Sequence, residues 1–227
     1  MEQIQNNRVI TDLYRENAQF PGIALDGSDV YLCWQRFVDR HDSLMASCRR
    51  GDEVVWEREI SDGGEVLHPV ILAHGGAIWY AWSEYARENW RILARCYRDG
   101  QWGEVLTVAS GEALFFPRLF TWQGKLHVIW TEQHKGSAAA VLCPLTEAGP
   151  GAAETVSAVG EAYRAGAAEG GDGNLYVAYD GFDGKQYKLF ARARTAAGWS
   201  EEIVVSQGED WASTPWIAAK PDGAVVG

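Results

Sequence analysis

Basic residues are scarce in this chain: 20 Lys and Arg stand against 31 Asp and Glu in 227 residues, for a net charge of −11. A protein that binds a phosphate backbone presents a basic face to release counterions, so this balance argues against nucleic acid as a partner. Cysteine is sparse too. Cys33, Cys48, Cys96 and Cys143 show no Cys-x-x-Cys spacing and are too few for a disulfide framework, so they read as buried thiols. Long hydrophobic runs are missing: Ala77 to Trp82 falls far short of the roughly 18 to 20 apolar residues of a membrane-crossing helix, and no membrane insertion is expected. Met1 to Arg8 has neither a basic start followed by an apolar stretch nor a small-residue cleavage site. The sequence as written therefore reads as cytoplasmic, or as secreted or cell-surface if a leader was removed.

Motifs of familiar chemistry are absent as well. His41, His68, His74, His127 and His134 have no H-x-x-x-H or H-E-x-x-H spacing, so no metal site is expected. There is no Gly-x-Ser-x-Gly elbow and no phosphate-cradling glycine loop, so no cofactor is expected either.

Tryptophan, tyrosine and glycine are plentiful, at 11, 9 and 25 residues, which suits strands joined by tight turns. They recur at a fixed period. Pro21, Pro69 and Pro117 are 48 residues apart, and each opens a similar string: Pro21 to Trp34, Pro69 to Trp82 and Pro117 to Trp130. Ala165 to Tyr179 repeats it with one extra residue before the aromatic, and Pro215 to Gly227 begins it again. Each string reads as a hairpin turning at Asp26-Gly27, Gly75-Gly76, Gln123-Gly124 or Asp172-Gly173. A third strand follows (Ser43 to Arg50, Trp90 to Arg98, Ala138 to Leu145, Tyr187 to Thr195), and a fourth starts near Trp56, Trp102 or Trp199.

In Val30, Leu32, Trp34 and in Ile78, Tyr80, Trp82 every second residue is large and apolar, and the residues between them are apolar too. Such a strand is buried on both faces, as it is when sheets stack radially around an axis. The expected fold is all-β: a β-propeller of four-stranded blades at 21–60, 69–109, 117–157 and 165–206, with partial strands at 8–14 and 215–227. Trp34, Trp82 and Trp130 read as core. The uneven ends predict a piece of a larger propeller, whose open blade edges would favour self-association.

A proline, a strand, a Gly-containing turn, a strand ending in Trp and a Gly-Trp step into the fourth strand together resemble the sialidase-like β-propellers with degenerate Asp-boxes. The Gly-Trp steps stand in Tyr97-Arg-Asp-Gly-Gln-Trp102 and Arg194-Thr-Ala-Ala-Gly-Trp199. The resemblance implies the fold. The arginine motif of the family's enzymes, Phe/Tyr-Arg-Ile-Pro, has its nearest counterpart in Phe116-Pro117-Arg118-Leu119, in altered order.

On a propeller the loops between the second and third strands and those leading into each blade gather around the axis, where ligands sit. Glu84, Glu132 and Asp180 are read as equivalent positions just past the aromatic strand end, and His68, Phe116 and Arg164 as blade-opening positions. With Arg36, Arg87, Trp90 and His134 they form the expected ligand-binding ring, polar groups for hydrogen bonds and aromatic faces for a sugar. Repeated acids also suit the capping of turns and the solvation of that face. The expected function is a non-catalytic binding module for a glycan or protein ligand. The alternatives are a glycoside hydrolase or polysaccharide lyase using Glu84, Glu132 or Asp180, and a scaffold without a site of its own.

Overall fold

A computed structural model describes residues 17–61, 63–158, 160–208 and 211–227. The expected partial strand at 8–14 lies outside the described residues. Every regular element described is a strand, and no helix occurs among the described residues.

The first blade is a meander of β1 (Asn17–Asp26), β2 (Asp29–Val38), β3 (His41–Arg50) and β4 (Glu53–Glu59). The second contains β5 (Glu65–His74), β6 (Ala77–Ala86) and β7 (Asn89–Arg98), with its outer strand broken into β8 (Gln101–Trp102) and β9 (Leu106–Gly111). The third repeats this with β10 (Ala113–Trp122), β11 (Lys125–His134), β12 (Ser137–Thr146), β13 (Gly149–Pro150) and β14 (Glu154–Thr155). The fourth comprises β15 (Ala162–Glu169), β16 (Leu175–Phe182), β17 (Tyr187–Thr195), β18 (Gly198–Trp199) and β19 (Ile203–Val204). A hairpin of β20 (Ile217–Lys220) and β21 (Gly223–Val226) follows. All pairings within these sheets are antiparallel.

The opening strands stand side by side around one axis, β1 against β5, β5 against β10, β10 against β15 and β15 against β20. Burial follows from this stacking. On β6, Ile78, Tyr80 and Trp82 face the first blade, packing with Tyr31, Leu44 and Cys48, while Ala77, Trp79 and Ala81 face the third, packing with Val128, Trp130 and Cys143. A third cluster, with Ile129, Tyr179 and Phe190, joins the third and fourth blades. Trp34, Trp82 and Trp130 are buried core residues, as their periodicity predicts. All four cysteines are buried free thiols; burial pushes Cys33 up to about 12 and Cys143 up to about 11.

One local feature differs from the reading of the repeat. The prolines do not begin the first strands, which start four residues earlier, at Asn17, Glu65 and Ala113. The residue before each proline is in the left-handed region: Phe20 at φ 51°, His68 at 54°, Phe116 at 56° and Thr214 at 59°, with Arg164 before Ala165 at 42°. In β1, β5, β10 and β15 the pairing register shifts across this residue. A bulge lets a strand pass through a proline that lacks an amide proton for the ladder, and it re-aims one side chain. Positive φ is costly for a residue with a Cβ, and such strain collects at functional sites.

Candidate functional site

The five re-aimed residues meet on the axis. Phe20, His68, Phe116, Arg164 and Thr214, together with Arg118 and Trp216, line a cavity of about 400 Å³. His68, Phe116 and Arg164 also line an adjoining cavity of about 380 Å³ with Phe115, Gln133, Tyr163 and Tyr187. Around the axis the rings run in sequence: Phe20 meets His68 edge-on at 5.0 Å between centroids, and His68 meets Phe116 at 4.2 Å. These spacings belong to attractive ring pairs, and they leave apolar faces that suit a sugar's C–H surface.

The polar groups of the axial cavity carry positive charge or none. Among the described residues, no carboxylate lines either cavity. Arg164 is bonded through Nε to both oxygens of Asp180, at 3.0 and 3.1 Å, and its second guanidinium nitrogen also donates to that carboxylate. Asp180 is fully buried and also accepts the backbone N–H of Thr214 at 3.4 Å. Arg118 lies over the Trp216 ring at 5.7 Å and has no carboxylate partner among the described residues. Arg118 is exposed at the cavity, and partial desolvation lowers its pKa, yet guanidinium remains charged at any ordinary pH.

Desolvation, and then the charge on Arg118, push His68 down to about 4. The ring is therefore neutral at pH 7, and its buried Nδ1 has no hydrogen-bond partner. The depressed value has a cost. Below about pH 6.5 the unfolded chain takes up a proton that the folded chain refuses until about pH 4, so stability falls as pH falls through that window. His68→Gln is expected to remove about 2 kcal/mol of that loss between pH 7 and 4, after discounting for the ring's partial exposure. Urea titrations of both chains at the two pH values check it; parallel pH profiles would contradict the assignment.

Of the residues expected in one ring, the structure brings His68, Phe116 and Arg164 together and leaves the others apart. Asp180 stands one layer behind, holding Arg164. Glu84, Glu132 and Asp180 are not equivalent, which corrects the reading of the repeat. The two glutamates lie two residues past their tryptophans, whereas Asp180 directly follows Tyr179. In the ladder Asp180 is opposite Tyr163, as Ser83 is opposite Leu67 and Thr131 opposite Phe115. A one-residue offset turns a strand side chain to the other face of the sheet. Glu84 is buried against the Arg91 guanidinium and accepts the Trp82 indole N–H at 3.2 Å. Glu132 and His134 line a separate cavity. Arg36 is paired with Glu59 at 3.1 Å, and Arg87 is exposed in the β6–β7 turn. Trp90 packs on Phe115 and Tyr85, at 4.6 and 5.3 Å, and lines neither axial cavity.

Lining residues outside the expected ring include Arg118, Trp216, Gln133, Tyr163 and Tyr187. Arg118 carried a usable signal. The residues two places past the re-aimed position are Gly22, Val70, Arg118, Gly166 and Trp216, and only one of them is charged.

No family model and no curated protein matches this chain. Solved structures do. An endo-arabinase from Bacteroides thetaiotaomicron superposes with a TM-score of 0.59 at 11% identity, covering 91% of this chain and 92% of that one. A subtype N10 neuraminidase-like protein from a little yellow-shouldered bat isolate of Guatemala gives 0.59 at 10%, covering 84% and 58%. The chain is a β-propeller. A xylan β-1,4-xylosidase from Bacillus halodurans gives 0.53 at 14%, covering 88% of this chain and 44% of its own, so the chain spans less than half of that enzyme. At these identities the likeness is one of fold, and it extends to a neuraminidase-like protein without showing the Asp-box repeat itself. The expectation of a non-catalytic binding module is corrected by these neighbours, which include an endo-arabinase and a xylosidase.

Proposed function

We propose that the chain is a carbohydrate-active enzyme of the glycoside hydrolase kind, with the axial cavity as its sugar site. The observation that carries this reading is the convergence of five strained positions, one from each repeat, on a cavity of about 400 Å³ with aromatic faces and directed polar groups. That size and mixture suit a small ligand. The cleaving part of the reading is supported by a fold shared with glycosidases, and the binding part by the lining.

The same lining argues for a sugar that carries an anionic group. Arg118 offers a guanidinium with no competing carboxylate among the described residues, in a chain whose overall charge is −11. Charge-assisted bonds from guanidinium to carboxylate, sulfate or phosphate are the strong, geometrically specific ones. Phe116 and His68 would stack on the ring, and the unpartnered His68 Nδ1 would bond a hydroxyl. Hydrolysis draws on a carboxylic acid and a second carboxylate; no described carboxylate lines the cavity, so the lining supports sugar binding and the cleaving part of the reading rests on the shared fold alone. Asp180 is the carboxylate next to the cavity, and its contacts make it a positioning residue for Arg164.

The test is turnover on a panel of aryl glycosides and acidic oligosaccharides, read as newly formed reducing ends. Cleavage of at least one acidic substrate is expected. In Asp180→Asn the KM should rise more than kcat falls, because Arg164 loses its orientation while remaining charged; Asp180→Glu should recover part of the loss. Failure of the whole panel, in binding and in turnover, would remove the reading.

A further inference from the structure

We propose that the cavity beside Glu132 is a binding site for a guanidinium or alkylammonium group, distinct from the axial sugar site. The repeat supplies its own comparison. Glu84 in the second blade lies opposite Arg91 in the ladder, and Glu132, 48 residues later, lies opposite Ala139. Where the second blade has a glutamate and a guanidinium locked together, the third has the glutamate and a methyl group.

A cavity of about 430 Å³ stands at that place, lined among others by Glu132, His134, Ser137, Ala139 and Thr155. It lies on the face that the third blade turns to the second, because Trp130, two residues before Glu132 on the same face, packs there with Trp79 and Ile92. No Lys or Arg among the described residues lines it. Glu132 is half-buried and has no partner among the described residues. Trp130 is 1% exposed, and its indole N–H is unpartnered, whereas the equivalent Trp82 N–H is taken by Glu84.

Local backbone explains why Glu132 does not fold inward as Glu84 does. A Cβ on Gly64 would fall 2.7 Å from the Glu84 carboxyl carbon, so Glu84 occupies space that only glycine leaves free. In the third blade that place is held by Glu112, whose carboxylate is 3.2 Å from His134 Nδ1. Glu132 therefore remains at the cavity, with a second carboxylate close to its rim. Ser137 donates its hydroxyl proton to Gly160 O at 2.7 Å and keeps lone pairs for an incoming N–H. A half-buried carboxylate, hydroxyl acceptors and no resident cation specify the group that Arg91 supplies internally one blade earlier. The chain's negative field would favour its approach. The cation's source is either a free small molecule or an arginine side chain of a partner protein.

Calorimetric titration of the full chain with agmatine, and with a short arginine-containing peptide, tests this. Saturable binding is expected, weakened at least about tenfold in Glu132→Gln. Ala139→Arg should abolish binding and raise the thermal midpoint, because it rebuilds the second blade's pair. Should that variant fail to fold, Ala139→Leu fills the cavity without charge and should also abolish binding. Agmatine binding as tightly as the peptide marks a free ligand; a large preference for the peptide marks a partner's side chain. Absence of binding at millimolar concentrations, or binding unchanged in Glu132→Gln, would overturn the proposal whatever the axial cavity does.

Discussion

Arg91→Ala is expected to lower the unfolding free energy by about 3 kcal/mol, a large share of the stability of a domain this size. Glu84 is 1% exposed, so losing its guanidinium strands a carboxylate whose remaining partner is an indole N–H. Full burial of both groups would place the loss higher in the usual range of about 3–5 kcal/mol, but the Arg91 side chain is 34% exposed, which puts the value at its lower end. Glu84→Leu added to Arg91→Ala should restore most of the loss, since an apolar pair needs no compensation in that space. Urea denaturation gives both values, and a loss under about 1 kcal/mol for Arg91→Ala would show that water reaches Glu84. The third blade explains why the same combination, glutamate opposite alanine, is tolerated there: Glu132 stands at a cavity open to solvent instead of being sealed against glycine.

Arg118→Ala is expected to weaken the binding of an acidic saccharide by about 100-fold while leaving a neutral saccharide of the same length within about threefold. The guanidinium is the charged group in the axial cavity that no carboxylate occupies, and its stacking on Trp216 holds it in place without neutralising it. The same substitution should let the His68 pKa rise from about 4, because the Arg118 charge is one of the two causes that depress it. Affinity from calorimetry and the His68 titration by NMR are independent readouts. Loss of acidic and neutral saccharides alike would mean that Arg118 shapes the cavity instead of choosing its ligand.

The radial architecture was legible because a strand buried on both faces has a pattern few other arrangements produce, and β6 and β11 repeat it up to Trp82 and Trp130. The bulges were not legible. A proline suggested the start of a strand, and nothing local to Phe20, His68 or Phe116 marks the left-handed backbone that carries the strand through it. Asp180 was misplaced for a related reason. Its distance from Tyr179 differs by one from the distance of Glu84 to Trp82, and one residue decides which face of a sheet a side chain takes. His68, Phe116 and Arg164 stand together at the axial cavity because each opens its repeat. Arg118 stands in a motif whose order differs from the sialidase-like arginine motif, and it is the single charged residue at its place in the repeat.

A crystal structure of the chain soaked with an acidic oligosaccharide tests the central claim most directly. Density for a sugar ring against Phe116 and His68, with its anionic group on Arg118, is the expected result. Saturating ligand bound elsewhere, with the axial cavity holding only water, would contradict the account.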